Sequence, residues 1–261
     1  MKAKQQLGQN FLMHQKTADR IASSADLPEG ARVLEIGPGT GMLTRALLRE
    51  GARVTAIEAD GELIPVLTEE FSNELASGAL TLIHGDIRTF DLGTLATPYF
   101  VVANIPYYIT GEIIRLLLTA KNKPASITLL VQKEVAVRIA RSEKESLLSL
   151  SVKVFGTPKY LFTVPRGAFR PAPNVDSAVL HIHSVRSPFK DLLEEEHFFN
   201  VLHAGFAHKR KKLSRNLEVV ASATDIGEAF TRCTLGDNTR AEDLSLSTWL
   251  ALTKNIKKST A

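Results

Sequence analysis

Asn104-Ile105-Pro106-Tyr107 is a run of residues suited to work on an aromatic amine. The nitrogen of such an amine is a poor nucleophile, because its lone pair is delocalised into the ring. A side-chain amide oxygen and a backbone carbonyl near Ile105 or Pro106 are both acceptors. Together they can hold the two amino hydrogens and favour a more pyramidal nitrogen with an available lone pair. Pro106 fixes the backbone and brings no competing N–H. Tyr107 offers a flat face on which a base can stack, a contact worth on the order of 1–3 kcal/mol.

A second set of residues suits a nucleoside. Residues 33–44 read Val-Leu-Glu-Ile-Gly-Pro-Gly-Thr-Gly-Met-Leu-Thr: an apolar run enters three glycines, and helical spacing follows. Gly37, Gly39 and Gly41 permit a tight turn and let the backbone come close to a ligand. The pattern departs from the dinucleotide fingerprint, since the third glycine comes one residue early and Pro38 separates the first two. A second apolar strand ends in Glu58, about twenty residues past the first glycine, where an acid accepts hydrogen bonds from a ribose diol. Glu35 before the glycines and Glu58 after the second strand favour a cationic nucleoside over a pyrophosphate. S-adenosylmethionine is such a nucleoside. Asp86, after a third strand, is placed either to accept the amine of that ligand's adenine or to cap a turn.

The elements that must position these residues alternate. Apolar runs at 33–36, 54–57, 80–83, 99–103 and 127–131 read as strands, separated by helical patterns at 43–50, 62–75, 110–120 and 133–141. Such alternation predicts a parallel sheet with right-handed crossovers, with the ligand beyond the carboxyl ends of its strands. Residues 147–155 and 177–184 read as strands joined by a proline-rich connection too short for a helical crossover, hence an antiparallel pair at the sheet edge. The expected fold is α/β and Rossmann-like, mostly parallel with one antiparallel edge strand. A catalytic domain over 1–186 would be followed by a small helical domain over 187–261. The opening residues 2–11 are Lys/Gln-rich and lead into Gln9-Asn10-Phe11-Leu12, which could pack over the ligand as a lid or form a frayed terminus.

Composition limits the alternatives. Hydrophobic content of 44% and charged content of 23% are those of an ordinary globular chain, which excludes the disordered class. No run is long and apolar enough for a membrane span, and the opening residues lack the apolar core of a signal peptide, so a cytoplasmic protein is expected. The one cysteine, Cys233, can form neither an internal disulfide nor a cysteine-based metal cluster. No metal is expected, and nothing in the chain points beyond a monomer. Lys209, Arg210, Lys211, Lys212 and Arg215 fall in one short window with no acid among them, a candidate contact for a polyanion or simply a solvated helix face.

Over nearly its whole length the chain resembles the ribosomal RNA adenine dimethyltransferase family. The resemblance is carried by Gln9-Asn10-Phe11-Leu12, by 35–41 (Glu-Ile-Gly-Pro-Gly-Thr-Gly), by Ile57-Glu58, Gly85-Asp86, Asn104-Ile105-Pro106-Tyr107 and Gln132-Lys133-Glu134-Val135. It continues in 169–179 (Phe-Arg-Pro-Ala-Pro-Asn-Val-Asp-Ser-Ala-Val) and Arg240-Ala241-Glu242-Asp243-Leu244. It implies cofactor contacts at Asn10, Leu12, Gly37, Glu58, Asp86 and Asn104, a flipped target base held with the help of Phe169, and a helical tail that docks on pre-ribosomal RNA. The implied activity is methyl transfer from S-adenosylmethionine to N6 of adenines in small-subunit (16S) ribosomal RNA, giving N6,N6-dimethyladenosine during ribosome assembly. Two other readings are a large-subunit enzyme of the antibiotic-resistance type, which shares the tetrapeptide but is opposed by the helical tail and the 169–177 segment, and a non-catalytic assembly or transcription factor on the same fold. The chain departs from many relatives at Tyr108-Ile109-Thr110-Gly111, just past the tetrapeptide.

Overall fold

The computed structural model describes residues 8–256, so part of the Lys/Gln-rich opening segment lies outside the described residues. The elements run β1 (Phe11–Leu12), α1 (Gln15–Ser23), β2 (Arg32–Ile36), α2 (Met42–Arg49), β3 (Arg53–Glu58), α3 (Leu63–Glu70), α4 (Ser72–Ser77), β4 (Leu80–His84), β5 (Phe100–Asn104) and α5 (Thr110–Thr119). They continue β6 (Ser126–Gln132), α6 (Lys133–Ala140), α7 (Leu147–Lys153), β7 (Thr157–Val164), β8 (Phe169–Arg170), β9 (Ser177–His183), α8 (Leu192–Phe206), α9 (Leu213–Leu217), α10 (Ala223–Arg232) and α11 (Leu246–Asn255). Seven strands form one sheet in the order β4-β3-β2-β5-β6-β9-β7, while β1 and β8 pair separately.

The inner strands are apolar without interruption because both faces are covered: Val101, Val102, Ala103, Ile127, Leu129 and Leu130 are all fully buried. From β2 the chain winds outward through β3 and β4, then returns to place β5 on the other side of β2. The order therefore reverses between β2 and β5, which opens a crevice at the carboxyl ends of these two strands. The glycine turn leaves β2 and the Asn104 tetrapeptide leaves β5, so both sets of chemistry-bearing residues meet at this switch point.

Three local expectations are corrected. Residues 147–153 form a helix, not a strand. Ser146 Oγ accepts from Ser149 N at 3.1 Å, and Ser149 Oγ accepts from Ser146 N at 2.7 Å, a reciprocal cap that fixes a helix start. The edge strand is β7 instead, inside the stretch taken for a connection, and Pro158 is tolerated there because an edge strand has a side free of ladder bonds. Strand β9 runs antiparallel to both β6 and β7, which gives the antiparallel pair expected at the sheet edge. The helix expected over 62–75 is broken at Phe71, whose non-helical backbone separates α3 from α4 while its ring is buried.

The chain divides into two compact units. One comprises residues 1–140 with 156–186, and the other residues 141–155 with 187–261. Residues 141–155, expected in the first domain, fall in the second unit together with the helices after 187. That unit is built from α7–α11 around Phe198, Leu202, Leu213, Leu217, Trp249 and Leu252. Gly205 lets α8 and α11 approach closely, since a methyl there would stand 2.3 Å from the Trp249 ring. Among the described residues no helix is long and apolar enough to cross a membrane.

Candidate active site

The three glycines have left-handed backbones, with φ of 68° at Gly37, 59° at Gly39 and 77° at Gly41, and each is needed for a different reason. A methyl at Gly41 would stand 2.4 Å from the Phe71 ring, and one at Gly39 2.9 Å from the Phe11 ring. These two glycines let aromatic side chains close on the turn. At Gly37 a methyl would meet nothing within 4 Å, because Gly37 faces the crevice itself.

Glu58 holds the turn in shape. Its Oε2 accepts from Gly39 N at 3.0 Å and its Oε1 from Asp60 N at 2.8 Å, although the residue is only 5% exposed. Burial pushes its pKa up, and the two backbone donors oppose that shift. Glu35, 1% exposed, is also part of the crevice wall, and its Oε2 has no hydrogen-bond partner among the described residues. Burial first, and the neighbouring Glu58 charge next, push the Glu35 pKa up to about 8. Two buried carboxyls, one of them short of a donor, make this wall receptive to a cation or to hydroxyl donors.

The opening segment is strapped across the other side. Phe11 and Leu12 of β1 pair with Arg170 and Phe169 of β8, and Met13 N donates to the Ala168 carbonyl at 2.9 Å. Gln9 Nε2 donates to Asp60 Oδ2 at 3.0 Å. The Asn104 amide donates to the Asn10 carbonyl at 2.9 Å, which turns the Asn104 side chain and leaves its Oδ1 without a donor among the described residues. The Pro106 carbonyl accepts from Ile109 N at 3.3 Å, whereas the Ile105 carbonyl takes no hydrogen bond among the described residues. Two acceptors of the expected kind, the Asn104 Oδ1 and the Ile105 carbonyl, are therefore left unengaged by the protein.

The resulting cleft, about 990 Å³ counting its open mouth, is lined by Asn10, Leu12, Gly37, Gly39, Glu58, Asp86, Asn104, Ile105 and Pro106 among others. That brings together the residues expected to hold the cofactor and the first three of the tetrapeptide. Asp86 lines it but is engaged: its carboxylate takes the Arg88 guanidinium and the Arg88 N–H, which lowers its pKa. Turn capping and ion pairing thus account for Asp86 in this structure. Tyr107 and Phe169 are not in the lining. The Tyr107 hydroxyl is hydrogen-bonded to Ser177 Oγ, and Phe169 is 4% exposed in the core beside Leu12, Val164 and Val179. The lining also includes Arg88, Met42 and Tyr108, which the sequence reading left without a role. Tyr108 is 61% exposed, and its ring packs where a Gly8 side chain would stand. Its position next to the tetrapeptide was the available signal.

The basic window belongs to the second unit. Lys209–Lys212 lie in the turn between α8 and α9 rather than on a helix face, and all four are exposed. Asn216 Nδ2 fixes that turn by donating to the Gly205 carbonyl at 2.7 Å and the His208 carbonyl at 3.1 Å. Arg215 is paired with Glu218 at 3.0 Å.

The profile of the family described as ribosomal RNA adenine dimethylase matches residues 1–258. The chain is 40% identical over 261 residues to the ribosomal RNA small subunit methyltransferase A of Dehalococcoides mccartyi strain CBDB1, covering 97% of this chain and 88% of that one. It is 37% identical over 262 residues to the protein of the same name from Lactococcus lactis, covering 95% and 88%. Among solved structures, the 23S rRNA methyltransferase ErmE superposes with a TM-score of 0.76 at 27% identity, covering 95% of this chain and 99% of that one. A dimethyladenosine transferase from Plasmodium falciparum shares the fold, with a TM-score of 0.73 at 24% identity over 93% and 95%. The fold and the switch-point cleft are those of a Rossmann-like, S-adenosylmethionine-dependent methyltransferase. Within that class, the chain belongs to the ribosomal RNA adenine dimethylase family. The cleft fits the cofactor on its own evidence: an orphaned buried carboxyl oxygen at Glu35, a second buried carboxylate at Glu58, and open space where Gly37 lacks a side chain.

Proposed function

We propose that this protein uses S-adenosylmethionine to dimethylate N6 of adenines in small-subunit ribosomal RNA, acting in the cytosol on an assembly particle. The observation that carries the chemistry is the pair of open acceptors, Asn104 Oδ1 and the Ile105 carbonyl, at the carboxyl end of β5. The choice of small-subunit RNA is supported by the names of the relatives at 37–40% identity.

Bound in the cleft, S-adenosylmethionine would supply an electrophilic methyl group. Gly37, Gly39, Asn10 and Leu12 would enclose it, Glu58 would accept from its ribose hydroxyls, and Glu35, protonated at neutral pH in the cofactor-free protein, would be driven to ionise by its positive charge. Asp86 can accept the adenine amine on a lone pair left over from the Arg88 fork. Asn104 Oδ1 and the Ile105 carbonyl would each take one N6 hydrogen of the target base, holding the nitrogen lone pair toward the methyl donor. The proton released from N6 passes to water. Tyr107 would stack the target ring, with its hydroxyl tether to Ser177 setting the plane. Phe169, buried opposite Leu12 in the β1–β8 ribbon, would help hold the target base through that ribbon. Extruding the base costs a few kcal/mol and is cheapest in a loop, so a hairpin loop is the expected target. The exposed turn at Lys209–Lys212, with Arg215, would hold RNA phosphates.

The test is mass spectrometry of nucleosides from ribosomal particles lacking the modification, incubated with the protein and methyl-labelled S-adenosylmethionine. Labelled N6,N6-dimethyladenosine in small-subunit RNA is the expected result. Label confined to large-subunit RNA would overturn the substrate assignment in favour of a resistance-type enzyme. No label in either would leave a non-catalytic factor.

A further inference from the structure

Three chain ends meet on the side of the cleft away from the glycine turn. Strand β6 ends at Gln132 and β7 at Val164, and both lie opposite Ser177, the first residue of β9. Asp176 joins them: its carbonyl accepts from Lys133 N at 3.0 Å, and its Oδ1 accepts from Arg166 N at 3.0 Å. The adjoining Ser177 is the residue hydrogen-bonded to the Tyr107 hydroxyl. Lys133 and Arg166 are thus anchored through their backbones to the same corner as the tetrapeptide. Arg170 reaches the neighbouring rim by another route. It pairs with Phe11 across the β1–β8 ribbon, next to Asn10, whose carbonyl holds the Asn104 amide.

All three side chains are exposed, and none makes an ion pair among the described residues. The arginines of α2 and of the turn after β4 differ. Arg45 is paired with Glu70, Arg49 with Asp19 and Arg88 with Asp86. The acids on the same stretch as the open cations are Glu134 and Asp176. Asp176 has one oxygen committed to Arg166 N, and Glu134 makes no ion pair among the described residues. An enzyme that extrudes a base has to hold the backbone on either side of it, and unpaired guanidinium and ammonium groups beside the base's entry serve that purpose.

The geometry points to Lys133, Arg166 and Arg170 as a phosphate clamp on the first unit, gripping the RNA backbone that flanks the target adenine. This contact is separate from the Lys209–Lys212 turn of the second unit. The inference rests on the proposed RNA methylation for its substrate, but its test reads binding as well as turnover.

The experiment uses the full chain with Lys133→Gln, Arg166→Gln and Arg170→Gln combined, and a charge-preserving companion with Lys133→Arg, Arg166→Lys and Arg170→Lys. Binding to small-subunit ribosomal RNA is measured across a salt series, alongside the RNA KM for methylation and S-adenosylmethionine affinity by calorimetry. The neutral variant is expected to raise the RNA KM at least about tenfold. It should flatten the slope of log affinity against log salt by roughly 2, the release from three single-strand phosphate contacts. Cofactor affinity is expected to stay within about twofold, and the companion to keep the wild-type slope. An unchanged salt slope and RNA KM in the neutral variant would overturn the clamp, as would a companion that loses both despite its charges. Failure of the wild type to methylate any ribosomal RNA would instead refute the proposed function, and the salt slopes would still decide whether these residues bind RNA.

Discussion

The two walls of the cleft treat their polar groups in opposite ways. At the ends of β2 and β3 the polar groups serve the fold: Glu58 holds the Gly39 and Asp60 amides, Asp60 is tied to Gln9, and Glu35 is buried beside them. At the end of β5 the protein engages only the donor side of Asn104 and leaves its acceptor open. The difference follows from the two tasks. Recognition of a fixed ligand benefits from a wall that is rigid before the ligand arrives, because little ordering then remains to be done. Acting on an amine requires acceptors that the protein has not used itself.

Removing the Glu58 carboxylate should damage the rigid wall most. Glu58→Ala leaves two buried N–H groups without partners, and we expect about 2–5 kcal/mol lower stability in denaturant titrations. Calorimetry should show a roughly 100-fold loss of S-adenosylmethionine affinity. A variant with wild-type affinity would mean that this wall does not hold the cofactor.

Glu35 gives the same wall a pH signature. Its proton is kept in the folded protein up to about pH 8, whereas the unfolded chain releases it near 4.5. Its contribution is therefore full below about 4.5 and is lost as pH rises toward 8. Fully converted, the shift would exceed 4 kcal/mol, but the open cleft admits water, and about 3 kcal/mol is expected. Stability of the cofactor-free protein measured from pH 4.5 to 9 should decline less in Glu35→Gln than in the wild type. Parallel profiles would show that Glu35 ionises normally.

Gly41→Ala tests the turn's support. The left-handed backbone and the Phe71 ring both oppose a side chain, so a loss of about 2 kcal/mol is expected in thermal unfolding. The smallest effect belongs to the open wall. Tyr107→Phe removes the bond to Ser177 and should cost about 1 kcal/mol, while methylation survives because the stacking ring remains. Loss of methylation in that variant would assign the hydroxyl a part in the chemistry.

Much of this was readable before any coordinates. Parallel strands announce themselves as apolar runs closed by glycine or a polar residue, so β2 to β6 and the residues at their ends could be placed, and with them Glu58, Asp86 and Asn104. What failed was decided by contacts distant in sequence or by competition within a short stretch. Leu147-Leu148-Ser149-Leu150-Ser151-Val152 alternates like a strand, yet the reciprocal Ser146–Ser149 cap starts a helix there. The break at Phe71 comes from the space that Gly41 leaves thirty residues earlier. The core position of Phe169 likewise rests on a partner distant in sequence, Leu12 across the β1–β8 ribbon.

The most direct measurement is methyl transfer by Asn104→Ala at saturating RNA and S-adenosylmethionine, compared with wild type, with RNA and cofactor affinities determined in parallel. If the open acceptor on β5 orients the target amine, transfer falls by about 10²–10³-fold while both affinities stay near wild type. Transfer at the wild-type rate would contradict the account, and so would a loss explained wholly by weaker binding.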